Sequence, residues 1–167
     1  MIIRLTGIIF ILVCGAMTGI KASDRLKSYY RNCTLLIEAV NRIGIMIRYR
    51  SLSVYEIARE LKKSESLSDI EFIRNLPEEF GNESFQSVWK SALKQDKSIG
   101  KEEKNLLNSF AESFGSSDTQ GQLSVIALLS EGLKTTEQKR GREYEEMGRL
   151  YRSLGLIDGI MMGIMIV

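Results

Sequence analysis

The segment Leu26 to Ile47 reads LKSYYRNCTLLIEAVNRIGIMI. Leu26, Tyr29, Tyr30, Cys33, Leu36, Ile37, Val40, Ile43 and Ile47 recur in it at steps of three and four. That is the period of one helix face and not the alternation of a strand. Lys27, Arg31, Glu38 and Arg42 fall on the opposite, polar face. The pattern predicts a helix from about residue 22 to 49, continuous with the apolar segment before it.

The same period recurs downstream. Ser53 and Glu56 have capping-box spacing ahead of a stripe of Val54, Ile57, Ala58 and Leu61. Ser68 and Glu71 suggest a second cap before Ile70, Ile73 and Leu76, where Pro77 stops the turn. Phe85, Val88, Trp89, Ala92 and Leu93 form a fourth stripe, and Leu106, Leu107, Phe110, Ala111 and Phe114 a fifth, with Gly115 as its C-terminal cap. Ser117 and Gln120 open a long last helix. Leu123, Ile126, Ala127 and Leu133 supply its core side, and Tyr144, Met147, Tyr151 and Leu154 resume the stripe. No β-alternation and no internal repeat interrupts the series. The expected class is all-α, an antiparallel bundle of about six helices over residues 21–153, whose first and last helices pack together.

Both ends are apolar. Ile2 to Ile20, IIRLTGIIFILVCGAMTGI, would span roughly 29 Å as a helix, close to a bilayer's hydrocarbon thickness. Its one charge, Arg4, can reach the interface. A cleaved signal peptide is the alternative, but Ile20-Lys21-Ala22 is a poor small-x-small site. Residues 1–20 are therefore expected to be a retained transmembrane anchor. Leu154 to Val167, LGLIDGIMMGIMIV, spans only roughly 21 Å. Residues 154–167 are expected to form a second span with Asp158 near the headgroups, the alternative being a re-entrant or partner-buried segment. Lys21, Arg25, Lys27 and Arg31 follow the first apolar segment, and Lys139, Arg140, Arg142, Arg149 and Arg152 precede the second. Basic residues at membrane ends mark the cytoplasmic side, so residues 21–153 are expected there.

Composition narrows the functional classes. The 167-residue chain has 23 basic and 21 acidic residues and a net charge of +2, which does not suggest a nucleic-acid binder. It contains no histidine, the commonest general base and a leading zinc ligand. Cys14 and Cys33 sit in apolar and helical patterns and read as packing residues, not as a disulfide framework or metal site. Gly115-Ser116-Ser117 lacks the lysine of a phosphate loop. Glu102, Glu103, Glu145 and Glu146 lie among lysines and arginines as solvated pairs. Trp89, Phe85, Phe110 and Phe114 have core spacing and read as core, not as a ligand platform. No catalytic residue, cofactor, metal or small-molecule substrate is expected, and the chain reads as a non-enzyme.

One stretch has no apolar stripe: Lys134 to Glu143, KTTEQKRGRE. It is expected to be a solvent-exposed length of helix or a break in one. Lys134, Lys139, Arg140 and Arg142 are the candidate partner-binding residues there, the blander reading being a solvated face.

Several features together resemble the stage III sporulation protein AB family of endospore-forming bacteria. An apolar N-terminal segment leads into a long helix. Ile47 to Leu61, IRYRSLSVYEIAREL, looks like that family's first cytoplasmic turn, though without its usual proline. Trp89, Ala92 and Leu93 match its Trp-x-x-Ala-Leu helix. Phe114 to Gln122, FGSSDTQGQ, looks like its Leu-Gly-x-x-Asp turn followed by glutamines, and Tyr151 to Gly155, YRSLG, opens an apolar tail. Asp158 departs from the family pattern by interrupting that tail. The resemblance implies a platform subunit of a channel-like or secretion-like complex in the mother-cell membrane around the forespore. It is similar to the inner-membrane platform proteins of type II secretion and type IV pilus machines. A secretion-type ATPase and other membrane subunits are the partners it implies. The alternative is a membrane-anchored regulatory adaptor with no part in transport.

Overall fold

A π-helical turn, Met46–Arg50, ends the helix that the Leu26–Ile47 pattern announces, so that α1 runs Ile2–Ile45. The computed structural model describes the backbone of residues 2–50, 52–114 and 118–165, and their side chains except at residues 2–12, 152, 156, 158–160 and 162–165. After α1 come α2 (Val54–Lys63), a 3-10 turn (Glu65–Leu67), α3 (Glu71–Arg74), α4 (Phe85–Gln95), α5 (Lys101–Ser113) and α6 (Thr119–Met165). No strand occurs among the described residues. The all-α class and the six α-helices agree with the sequence reading.

The chain divides into two compact units, one of residues 1–30 with 139–167 and one of residues 31–138. Both α1 and α6 contribute to each. The second unit holds the hydrophobic core. Cys33, Leu36, Val40, Ile43 and Ile47 meet Ile57, Ala58 and Leu61 of α2, Phe72, Ile73 and Leu76 around α3, and the α4, α5 and α6 stripes. Leu129 takes a core place on α6, while Ala127 is exposed. Cys33 is buried as expected, but Cys14, in the first unit, is exposed rather than packed.

Local chemistry explains the boundaries. Ser53 and Glu56 form the expected capping box, with the Ser53 hydroxyl accepting from the Glu56 N–H and the Ser53 N–H donating to the Glu56 carboxylate at 2.8 Å. These hydrogen bonds, from the Ser53 backbone first and its hydroxyl second, hold the Glu56 carboxyl below its usual range. Ser68 does not cap α3. Its hydroxyl donates to the Glu65 carbonyl at 2.7 Å, and α3 is instead preceded by Ile70. The Gly115 cap lies outside the described residues, as do Ser117, Arg4 and Asp158 as side chains. At the start of α6 the Asp118 carboxylate accepts from the Gly121 N–H at 3.0 Å.

Ser68 is displaced by a group far along the chain. Asp96 is fully buried, and its carboxylate accepts from the Phe72 N–H at 2.9 Å, satisfying an orphan donor of α3. The same carboxylate accepts from the Ser98 N–H at 2.6 Å and the Ser98 hydroxyl at 2.7 Å. It ties the α4–α5 connection to the start of α3. Asp96→Ala leaves buried donors without acceptors, and such groups cost about 1–3 kcal/mol. A lowered urea midpoint of the full chain is expected, with Asp96→Asn falling between the two. An Asp96→Ala midpoint equal to wild type would show that water replaces the carboxylate.

Candidate functional site

Glycines at Gly141, Gly148 and Gly155 recur every seven residues along α6, so they return to one side of the helix every two turns. In the first unit that side meets α1, which runs antiparallel to it. Gly141 faces the Tyr30 ring, Gly148 faces Ser23, and Gly155 faces Gly15 and Gly19. A Cβ placed on Gly155 would lie 2.6 Å from the Gly15 carbonyl oxygen and 3.1 Å from the Gly19 Cα. A Cβ on Gly19 would run into the Tyr151 carbonyl. Backbones approach this closely only where side chains are missing, the packing mode of small-xxx-small helix pairs in membranes.

The large side chains point the other way. Val13, Met17 and Ile20 on α1, and Leu150, Leu154, Ile157 and Met161 on α6, are exposed, Leu154 by 55% and Met161 by 66%. Met147 and Tyr151 are exposed too. The expected inward stripe of Tyr144, Met147, Tyr151 and Leu154 is thus not the seam. Close backbone contact excludes bulk, so the glycine row faces inward and the bulky residues turn out. Among the described residues no helix is long and apolar enough to cross a membrane. The expected span over residues 1–20 draws on side chains 2–12, which lie outside the described set, as do most side chains of 154–167.

The helix α6 continues without a break through Lys134 to Glu143. The stretch is not uniformly solvated, since Thr136 is buried and its hydroxyl donates to the Gly132 carbonyl at 2.9 Å. Lys134, Lys139 and Arg142 are exposed. Arg140 turns inward: its side chain is mostly buried, pairs with Glu143 at 2.9 Å, and sits 5.5 Å from the centre of the Tyr29 ring. Arg25 lies against the same ring at 5.7 Å. At about 100° per residue, Lys134, Arg142, Lys139 and Arg140 fall at roughly 0°, 80°, 140° and 240° around the helix. The four candidate residues therefore do not share one face. Lys134 also belongs to the second unit and the other three to the first.

A basic groove between α4 and α5 was not singled out in the sequence. Lys90 and Lys94 line one wall, and Lys101, Lys104, Asn105, Asn108 and one acid, Glu112, the other, around about 440 Å³. The burial of Asp96 and Glu103, which no local pattern announces, hides its charge from a reading of the sequence. Among the described residues no group of three or more His, Cys, Asp or Glu side chains could hold a metal ion.

The family described as Stage III sporulation protein AB matches residues 4–167 of the chain. A solved structure titled Stage III sporulation protein AB (SpoIIIAB) is similar in fold, with 21% identity and a TM-score of 0.56, over 70% of this chain and 96% of that one. No curated protein sequence matches the chain.

Proposed function

Since the chain belongs to the stage III sporulation protein AB family and so has a role in sporulation, we propose that it is a non-enzymatic membrane platform subunit. Its first unit is the membrane attachment, with residues 1–20 and 154–167 as the spans, in the mother-cell membrane around the forespore. The helical residues between them lie on the cytoplasmic side and couple a secretion-type ATPase to other membrane subunits. The observation that carries the reading is the glycine-seamed helix pair whose apolar side chains face outward. In water an apolar surface of that kind is a liability, whereas lipid covers it without loss. The basic residues beside both apolar segments support the orientation.

Within this reading Lys134, Lys139 and Arg142 are the docking charges, and Arg140 is a packing residue. The test uses the tagged full chain in sporulating cells. Carbonate-washed membranes are expected to retain it, and after detergent extraction it brings down a secretion-type ATPase. Reversing Lys134, Lys139 and Arg142 to glutamate should keep the chain in the membrane and lower ATPase recovery severalfold, since rim charges act mainly on encounter. Release of the chain by carbonate would refute the membrane attachment. Retention with no ATPase recovered would favour the regulatory adaptor.

A further inference from the structure

The α4–α5 groove carries a charge that the composition conceals. Lys90, Lys94, Lys97, Lys101 and Lys104 follow one another at steps of three and four, through α4, the connection and α5. The acids interleaved with them are Asp96, Glu102 and Glu103. Asp96 is fully buried and Glu103 is 1% exposed, so both are withdrawn from the surface, and of the three only Glu102 stays exposed. Lys104 donates to the Asp96 backbone carbonyl, a contact that leaves its charge uncancelled. Lys90 pairs with Glu112 at 2.7 Å, while Lys94, Lys97 and Lys101 make no ion pair among the described residues. A chain whose total charge is only +2 thus presents a concentrated basic groove in its second unit.

We infer that this groove receives an acidic segment of a partner protein, a helix or an extended strand with carboxylates on one side. Lysine walls on two helices, with Asn105 and Asn108 on the α5 wall as neutral donors and acceptors, suit a single peptide segment. A lipid surface is the poorer fit. The one apolar lining residue, Leu93, is buried, so nothing in the groove can insert among acyl chains. Single-stranded nucleic acid also fits poorly, because no aromatic side chain lines the groove for base stacking. A second copy of the chain is the poorer occupant, because its acidic loop residues Glu78 and Glu79 lie beside Arg59, Lys62 and Lys63, whose charge opposes theirs. Lysine rather than arginine lines the site, giving hydrated charges that steer an acidic partner without fixing bidentate geometry. The inference stands whether or not the chain is membrane-bound and whichever protein supplies the acid segment.

The test measures fluorescence anisotropy with the full chain in neutral detergent. The probe is a labelled alanine-rich helical peptide with glutamates on one face, beside the same peptide with glutamine in their place. The glutamate peptide is expected to bind and to weaken as salt rises. Reversing Lys94 and Lys101 together to glutamate should weaken binding about tenfold or more, on the scale of close charge pairs at interfaces. The equally large reversal of Lys62 and Lys63 should change it less than about twofold, as expected for screened distant charge. Circular dichroism checks that both variants keep their helix content. Equal losses in the two variants would overturn the inference, since net charge alone would then govern binding. So would equal binding of the glutamine peptide. Displacement of the probe by phosphatidylglycerol vesicles or by an oligonucleotide at lower charge concentration would reassign the groove to lipid or nucleic acid. Self-association lost on reversing Lys94 and Lys101 would reassign it to a second copy.

Discussion

Trp89→Ala is expected to destabilise the second unit by about 3–5 kcal/mol, the range for truncating a large buried aromatic. Trp89 is only 2% exposed. Its ring meets Phe72 of α3 edge-on at 5.0 Å, Phe85 of α4 at 5.2 Å and Phe110 of α5 at 5.8 Å. One side chain thus holds three helices, and Phe110 stacks on Phe114 at 4.5 Å to extend the cluster. The indole N–H donates to the Leu107 carbonyl at 3.2 Å, so the polar end of the ring is also satisfied. α3 is a single turn too short to persist alone, and its place depends on such contacts. Against a typical total stability of about 5–15 kcal/mol, the loss is a large fraction. Urea unfolding of the full chain, followed by helical circular dichroism, is the measurement. Trp89→Phe should fall between wild type and Trp89→Ala, because it keeps a ring but loses the N–H. A Trp89→Ala midpoint within error of wild type would mean the cluster closes without the indole.

The Trp89 cluster was legible because every member of it sits at helical spacing in its own segment. Phe85, Val88, Trp89, Ala92 and Leu93 are all buried as read. The same holds for the α2 stripe beyond its first turn, where Ser53 and Glu56 provide the local signal. What escaped the reading depends on contacts distant in sequence. Ser68 looked like a cap, but Asp96 performs that role from the other side of α4, and no local pattern announces a carboxylate aimed at another helix. Phe72, Leu67 and Phe80 are buried off any stripe, in short turns where periodicity has too few residues to register. The Lys134 to Glu143 stretch looked featureless because periodicity counts apolar residues only. Thr136 and Arg140 nonetheless turn inward there through a hydroxyl, a cation–aromatic contact and an ion pair. The lysine groove was invisible for a related reason. Its charge becomes evident only once Asp96 and Glu103 are known to be buried.

Gly19→Leu combined with Gly155→Leu is expected to separate α1 from α6 in the first unit. The row of Gly141, Gly148 and Gly155 was printed in the sequence, but a search for large apolar residues passes over it. The contact is between backbones. A Cβ on Gly155 meets the Gly15 carbonyl at 2.6 Å and a Cβ on Gly19 meets the Tyr151 carbonyl, neither of which can rotate away. Gly148 is gentler, since its nearest neighbour would be the Ser23 hydroxyl at 3.1 Å, a side chain that can shift. Overpacking costs about 1–3 kcal/mol at a site, and two adjoining clashes with main chain exceed what one rotamer change relieves. Helix pairs in lipid have little hydrophobic drive to hold them together once close packing is lost. The loss should therefore show as separation and not as a small shift. The readout is oxidative crosslinking in membranes between cysteines placed at Ser23 and Gly148, with Cys14 and Cys33 replaced by alanine. Crosslinking is expected in the parent, and at least about tenfold less of it in the double leucine variant, the equivalent of 1.4 kcal/mol or more. Leu154→Ala, on the exposed side of α6, should leave the yield unchanged. If the double leucine variant crosslinks as well as its parent, the glycine seam does not hold these helices together, and the outward-facing apolar row must be held by another contact.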